Sequence, residues 1–240
     1  MSMIEACNLV KNFGAVCAVN NVSVSIPAGS IVGFLGPNGA GKSTTMRILT
    51  GFLSPDSGSV KVCGFDIDSN RLKALSSIGY LPEAVSGFSH LTAREFLEFC
   101  CSSRGVKKKD LSIIINRLIK TVDLNFAIDK KIQILSKGWR QRIWLGQAII
   151  HDPPVLILDE PTDGLDPNQK DHLRDLIKFI GTDKAVILST HILEEAEVLC
   201  DRVVILANGK KVCDKPKEKL IDDDGRLLKS FRKLTQVRPQ

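Results

Sequence analysis

The chain contains no apolar run that approaches the ~18–20 residues of a membrane span. Its continuous apolar stretches, at 155–158 and 203–207, are far too short. It is therefore not expected to cross a bilayer, and any membrane role has to come through a partner. The opening Met1-Ser2-Met3-Ile4-Glu5 has neither a basic region nor an apolar segment, so no secretory signal is expected. No two of the seven cysteines form a CxxC pair, their number is odd and their spacing irregular. A disulfide framework and a zinc site are thereby excluded, and reduced thiols in a cytoplasmic protein are expected. Internal repeats and low-complexity segments are absent. Composition is ordinary, with 43% hydrophobic and 25% charged residues, which excludes disorder, collagen and mucin-like stalks.

What is present is 240 residues, enough for one large domain or two small ones with a core that needs no staple. The net charge of +6 is uneven. Residues 207–240 carry ten Lys/Arg and five Asp/Glu, so the tail is basic and the body nearly neutral. Such a tail either touches nucleic acid or anionic lipid or is a solvated extension, and the second reading is preferred.

Val22, Val24 and Ile26 alternate with Asn21, Ser23 and Ser25, which predicts a half-exposed strand. Residues 31–35 are apolar throughout, as in a strand buried on both faces. A helix is expected from the following loop to Thr50, stopped by Gly51. Short strands are predicted at 60–62 and 78–81, with a turn at 54–58. From 83 to 152 the pattern becomes helical. Thr92 and Glu95 form a capping box, with Leu91 and Phe96 as a hydrophobic staple. A second helix, capped by Asp110, carries the stripe Leu111, Ile114, Ile115, Leu118, Ile119 and Val122, read as core. Lys107-Lys108-Lys109 before it reads as solvated. Strands return at 155–158, 186–188 and 203–206, separated by helices over 168–180 and 192–200. This alternation predicts a parallel sheet with covered faces.

Gly36-Pro37-Asn38-Gly39-Ala40-Gly41-Lys42-Ser43-Thr44 matches GxxxxGK[ST] between a strand and a helix, the context that identifies a phosphate-binding loop. Its glycines let the backbone wrap phosphates, and the helix N-terminus adds free N–H groups and positive partial charge. Lys42 neutralises the β- and γ-phosphates, and Ser43 offers a hydroxyl to Mg²⁺. A Gly-rich turn without function is the bland alternative, and the Lys-Ser pair argues against it. A buried strand delivers Asp159 and Glu160 to its C-terminal end, the edge where open α/β sheets bind ligands. Asp159 is expected to hold Mg²⁺ through its water shell. Glu160 is expected to orient and deprotonate the attacking water.

With these motifs in order, the chain resembles the ATP-binding cassette (ABC) ATPase subunits of membrane transporters, over about 4–212. Leu135-Ser136-Lys137-Gly138-Trp139-Arg140-Gln141 is similar to the family signature LSGGQ. Gly164-Leu165-Asp166 is similar to the D-loop, His191 in Leu188-Ser189-Thr190-His191 to the switch histidine, and Phe13 to the aromatic that stacks on adenine. The resemblance implies an α/β fold: a P-loop NTPase core with a mainly parallel sheet, an antiparallel β subdomain on the N-terminal side and an inserted helical subdomain. It implies one nucleotide-binding domain over 1–240, with an ATP-binding core at about 1–82 and 153–212. The helical subdomain would span 83–152 and a basic extension 213–240. It also implies that ATP and Mg²⁺ are bound. A second cassette, identical or related, packs head to tail so that Ser136 and the Gly138 backbone act on the partner's nucleotide. His191 contacts the γ-phosphate, and Asp166 couples the two sites. A separate transmembrane permease would hold the protein at the cytoplasmic face of the membrane, and no nucleic acid is expected.

The chain departs from the family pattern at several positions. Glu83 in Tyr80-Leu81-Pro82-Glu83 stands where a glutamine is usual; it can still accept from a metal-bound water, and is carried as a metal-site residue. Lys137 replaces a glycine and either adds a cation near the partner's phosphates or faces solvent. Trp139 replaces a glutamine, and packing in the interface is preferred to stacking on nucleotide. The Leu81-Pro82-Glu83 and Leu135-Ser136-Lys137-Gly138 variants, with Gly164-Leu165-Asp166-Pro167-Asn168-Gln169, resemble the ATPases of exporters with a separate membrane subunit, including the gliding-motility-associated class. The runner-up is a soluble cassette ATPase acting on nucleic acid or the ribosome, disfavoured because neither a second cassette nor a long coiled-coil insertion is present. A degenerate, regulatory cassette is disfavoured by intact Lys42, Asp159, Glu160 and His191. The loop over 84–90 is expected to help meet the permease.

Overall fold

The chain's hydrophobic patterns resolve into two sheets and a helical layer in the computed structural model, which describes residues 2–84 and 86–235. β1 (Ser2–Phe13) and β2 (Val16–Pro27) form a hairpin, and β3 (Ser30–Leu35) leads through the phosphate loop into α1 (Lys42–Leu49). β4 (Ser57–Val62), β5 (Phe65–Asp66), α2 (Arg71–Ser76) and β6 (Ile78–Leu81) follow. Next come α3 (Ala93–Ser103), α4 (Leu111–Thr121) and α5 (Lys137–Ile149), inserted before β7 (Val155–Asp159). The rest alternates: α6 (Pro167–Gly181), β8 (Ala185–Thr190), α7 (Leu193–Leu199), β9 (Arg202–Ala207), β10 (Lys210–Pro216) and α8 (Leu228–Thr235).

A four-stranded antiparallel sheet has the order β2-β1-β4-β5, and a six-stranded sheet the order β10-β9-β3-β8-β7-β6. The larger sheet is parallel except for β10, which runs against β9. Its central strands are apolar on both sides because both sides are covered. Val32, Phe34, Val155, Ile157, Ala185 and Ile187 face the antiparallel sheet and α1. Ile31, Leu35, Leu156, Leu158, Val186 and Leu188 face the helices. Parallel register sets Leu35 beside Thr190 and Asp159 beside Ser189, so the strands end at one edge.

Local signals account for most of the helical layer. The capping box forms in full, with Glu95 N donating to Thr92 Oγ1 and Thr92 N donating to Glu95. Such a cap is worth about 1 kcal/mol. The α4 stripe is core: Ile115, Leu118, Ile119 and Val122 are buried, and Leu111 and Ile114 pack against them. The expected Asp110 cap does not form. Residues Lys108–Asp110 already make a 3₁₀ turn, which leaves Asp110 in a helical rather than extended conformation and without a side-chain cap bond. Lys107, Lys108 and Lys109 are exposed.

The basic tail is not simply solvated. Strand β10 runs through the expected boundary at 213, Leu220 and Leu227 are buried, and Phe231 and Leu234 pack against the core. Its charges read as an extension, but its leucines recur where they meet the sheet's helical side. The last residues, 236–240, lie outside the described region, as does Val85 of the loop over 84–90. All seven cysteines are free thiols, four of them buried.

Candidate active site

Three strand ends of the six-stranded sheet meet at the phosphate loop. Gly41 is the N-cap of α1, with φ 98° and no side-chain cap, so the first N–H groups of the helix face the loop. A side chain at Gly41 would run into the Ala18 carbonyl, and only glycine takes this left-handed turn freely there. Gly209 N donates to Ala40 O at 3.2 Å, so the β9–β10 turn braces the loop from behind. Lys42 is 7% exposed, and its ammonium donates to the Gly36 carbonyl at 2.8 Å and to that of Pro37 at 3.4 Å. The loop thus holds its own cation in place.

Residues 38–44 line a cavity of about 620 Å³, together with Phe13, Glu83 and Glu160. Phe13 is half exposed at its mouth, beside Val16 and Cys17 of β2. Sequence reasoning did not single out Val16, Cys17 or Asn208, which also line it. Nothing in their local pattern marks them, because turns distant in sequence deliver them.

Asp159 and Glu160 end β7 and are 2% and 7% exposed. Asp159 accepts a hydrogen bond from the Ser189 hydroxyl. Burial pushes its carboxyl above the usual range, the Ser189 bond pulls it back, and the charges of Glu83 and Glu160 push it further up. Glu160 sits at φ 48°, a left-handed conformation that costs a non-glycine residue on the order of 1 kcal/mol. Its N–H is held by both the carbonyl and the hydroxyl of Ser189, each at 3.1 Å. His191 Nδ1 lies 3.0 Å from Glu160 Oε2, so this carboxylate and the histidine following β8 are in direct contact. The bonded tautomer carries its proton on Nδ1.

The remaining expected site residues lie apart. Ser136 is exposed at the N-cap of α5 and caps nothing. Gly138 is buried in the first turn, where a side chain would strike Gln169 of α6. Asp166 caps α6, accepting from Gln169 N at 3.0 Å. Lys137 pairs with Asp163 at 2.8 Å, both side chains about half exposed. Trp139 packs on Phe126, ring centroids 5.5 Å apart. Gln141 ties the same helix to the acidic loop, donating to Pro161 O at 2.9 Å.

A second cavity of about 600 Å³ opens between the sheet and the helical layer. Arg47, Phe52, Tyr80, Glu83, Arg104 and Asp159 are among its walls. Burial and the nearby Asp159 charge push the Tyr80 phenol up to about 12, so it stays a donor. Phe52 is 80% exposed there.

The groups expected to meet a cation carry oxygen only: the Ser43 hydroxyl and the Glu83 carboxylate line the first cavity, and Glu83 and Asp159 line the second. Among the described residues no three His, Cys, Asp or Glu side chains are placed to hold an ion by themselves. That composition fits Mg²⁺, which takes one or two carboxylates and completes its shell with water and phosphate. It does not fit an ion that needs a protein cage.

Residues 19–163 match the family model described as ABC transporter. Over 208 residues the chain is 40% identical to an uncharacterized ABC transporter ATP-binding protein, YxlF, of Bacillus subtilis, covering 87% of this chain and 69% of that protein. It is 34% identical over 222 residues to the Nod factor export ATP-binding protein I of Burkholderia lata, covering 92% and 73%. A solved ATP binding subunit of an ABC transporter superposes with a TM-score of 0.88 at 27% identity, over 98% of this chain and 100% of that one.

Proposed function

Because the chain belongs to the family of ABC transporter ATP-binding cassettes, which hydrolyse ATP to power transport, we propose that it is the ATPase subunit of an exporter. In this reading it works as a pair with a second cassette and drives a separate membrane permease. The single observation that carries the hydrolytic role is the contact of Glu160 with His191 at the edge of the phosphate-loop cavity.

The loop N–H groups and Lys42 bind the phosphates of ATP, and Phe13 offers its ring to the base at the cavity mouth. Glu160 takes the proton of the attacking water, and His191 fixes the carboxylate's orientation and faces the γ-phosphate. Ser43, Asp159 and Glu83 would hold Mg²⁺, which when bound would supply charge neutralisation for the phosphates. Asp159, whose burial disfavours its charge, is relieved by a cation there.

One chain covers only one side of a nucleotide in this reading. Ser136, exposed and with a hydroxyl that caps no helix N–H, is free to meet the γ-phosphate bound to a partner cassette, with Gly138 behind it and Asp166 coupling the sites. The second cavity supports a permease contact in this reading, because the exposed Phe52, Arg47 and Arg104 line it together with Asp159 and Glu83. A partner element seated there has a direct route to the metal site. No described helix is long and apolar enough to cross a membrane, so attachment at the cytoplasmic face runs through that partner. Export as the direction is supported by the printed function of the Nod factor relative.

The test is to recover the Glu160→Gln protein with ATP from gently solubilised native membranes and identify what accompanies it. A stoichiometric polytopic membrane protein is expected. A clean soluble dimer, or one trailing nucleic acid, moves the function to a soluble ATPase.

A further inference from the structure

One buried carboxylate has no part in the scheme above. Glu195 of α7 is 1% exposed. One of its oxygens accepts from the Thr162 hydroxyl and the other from the Thr190 hydroxyl, the latter at 2.7 Å. Both threonines are 0% exposed. Thr162 lies two residues after Glu160, and Thr190 immediately precedes His191. Each is a fixed point of its own segment. Asp163 N returns to Glu160 O at 3.2 Å, closing the turn that contains Thr162. Ile192 N donates to Thr190 Oγ1 at 3.0 Å, closing the turn that carries His191.

We infer that Glu195 is a positioning residue for ATP hydrolysis: by holding Thr162 and Thr190 on its two oxygens, it sets Glu160 and His191 at their contact distance. The inference rests on the reading that this pair handles the attacking water. Ser189 already holds the Glu160 N–H. Glu195 holds the far side of the same turn, and a left-handed residue persists only when both flanks are fixed. A carboxylate buried for packing alone is a poor choice, because an apolar side chain fills the same space without desolvation. Burial pushes the Glu195 carboxyl up, while the Thr190 hydroxyl and the charges of Lys170 and Arg174 on α6 pull it back.

The test uses the full chain and four threonine variants beside Glu195→Gln. An amide accepts from one hydroxyl only and turns an N–H toward the other. Glu195→Gln is expected to keep its melting temperature and its KM for ATP while kcat falls about 10²-fold, the scale of a misplaced reacting group. Thr162→Val and Thr190→Val keep the volume and lose the hydroxyl; each is expected to lower kcat, and the pair to be non-additive through their shared carboxylate. Thr162→Ser and Thr190→Ser lose a methyl and keep the hydroxyl, and are expected to stay active. Histidine side-chain NMR of Glu195→Gln is expected to move the His191 resonances and leave those of His90 and His151. Active valine variants with impaired serine variants would mean packing, and would overturn the inference, as would unmoved His191 resonances in a folded Glu195→Gln. Wild type and Glu160→Gln run alongside: turnover that survives in Glu160→Gln refutes the Glu160 reading itself, whatever Glu195 does.

Discussion

The two polar ends of this molecule are built in opposite ways. At the strand edge, Asp159, Glu160, Ser189, Thr190 and Glu195 are all under 10% exposed and bonded to one another or to backbone. At the start of α5, Ser136 is exposed and its hydroxyl caps no helix N–H, and the Lys137 ammonium is held by a half-exposed ion pair. Groups that act within the chain are fixed in advance, where low dielectric strengthens their field and no reorganisation is needed. Groups that wait for another surface are left at the surface. Under the proposed two-cassette reading, half of the expected site is finished within the chain and half is offered to a partner.

Disabling the finished half is expected to have the largest effects. Glu160→Gln should lower kcat by about 10²–10⁴, the usual range for losing a positioned general base, with ATP binding retained. Unchanged turnover in a phosphate-release assay would remove Glu160 from that role. Lys42→Ala should weaken ATP binding about 10²-fold, matching ~3 kcal/mol for a hydrogen bond to a charged group. A fluorescent-nucleotide titration reads this directly.

Asp159→Asn sharpens the comparison through pH. The folded-state pKa of Asp159 is raised, so its favourable contribution exists below the ordinary value of 3.8 and is lost as pH rises through the folded value. At pH 7 the ionised carboxylate therefore burdens the fold. Asparagine keeps an acceptor for Ser189, so the variant should melt higher at pH 7, by about 2–4 °C per kcal/mol recovered. The gain should vanish below pH 3.8, while Mg²⁺-dependent turnover is lost. Calorimetry across that range checks the sign.

Lys137→Ala, in the offered half, should change the melting temperature least. A pair exposed to this degree contributes only about 0–1 kcal/mol, screened by salt. A large drop in melting temperature would show that the start of α5 is as preassembled as the strand edge.

Sequence reasoning reached the parts of this design that are local. The phosphate loop, the acids after an apolar strand and the Thr92–Glu95 cap are each contained within about ten residues. Glu83, Lys137 and Trp139 are visible in the sequence as departures from the family pattern, but their contacts are not. Asp163, which holds Lys137, is 26 residues away. Glu195 shows the limit most sharply. In Leu193-Glu194-Glu195-Ala196-Glu197 it reads as one more acid on an exposed helix. Only the arrival of Thr162 and Thr190 from two strand ends makes it a buried acceptor. The left-handed Glu160 is similarly invisible, since its backbone is set by Ser189 across the sheet. Leu220 and Leu227 were hidden by their basic neighbours.

The strand order has a bearing on how the protein is made. β3 ends at Leu35 and runs into the phosphate loop, yet among the described strands its neighbours in the sheet are β8 and β9, which begin at Ala185 and Arg202. The loop itself leans on Gly209. During synthesis the nucleotide-binding sequence thus leaves the ribosome well before the strands that pair with β3. Ribosome-arrested chains that end before Ala185 should fail to be retained on immobilised ATP, and chains that expose Gly209 should be retained. A truncated product of an interrupted translation then carries the motif but cannot hold nucleotide, so it cannot compete with finished subunits for ATP.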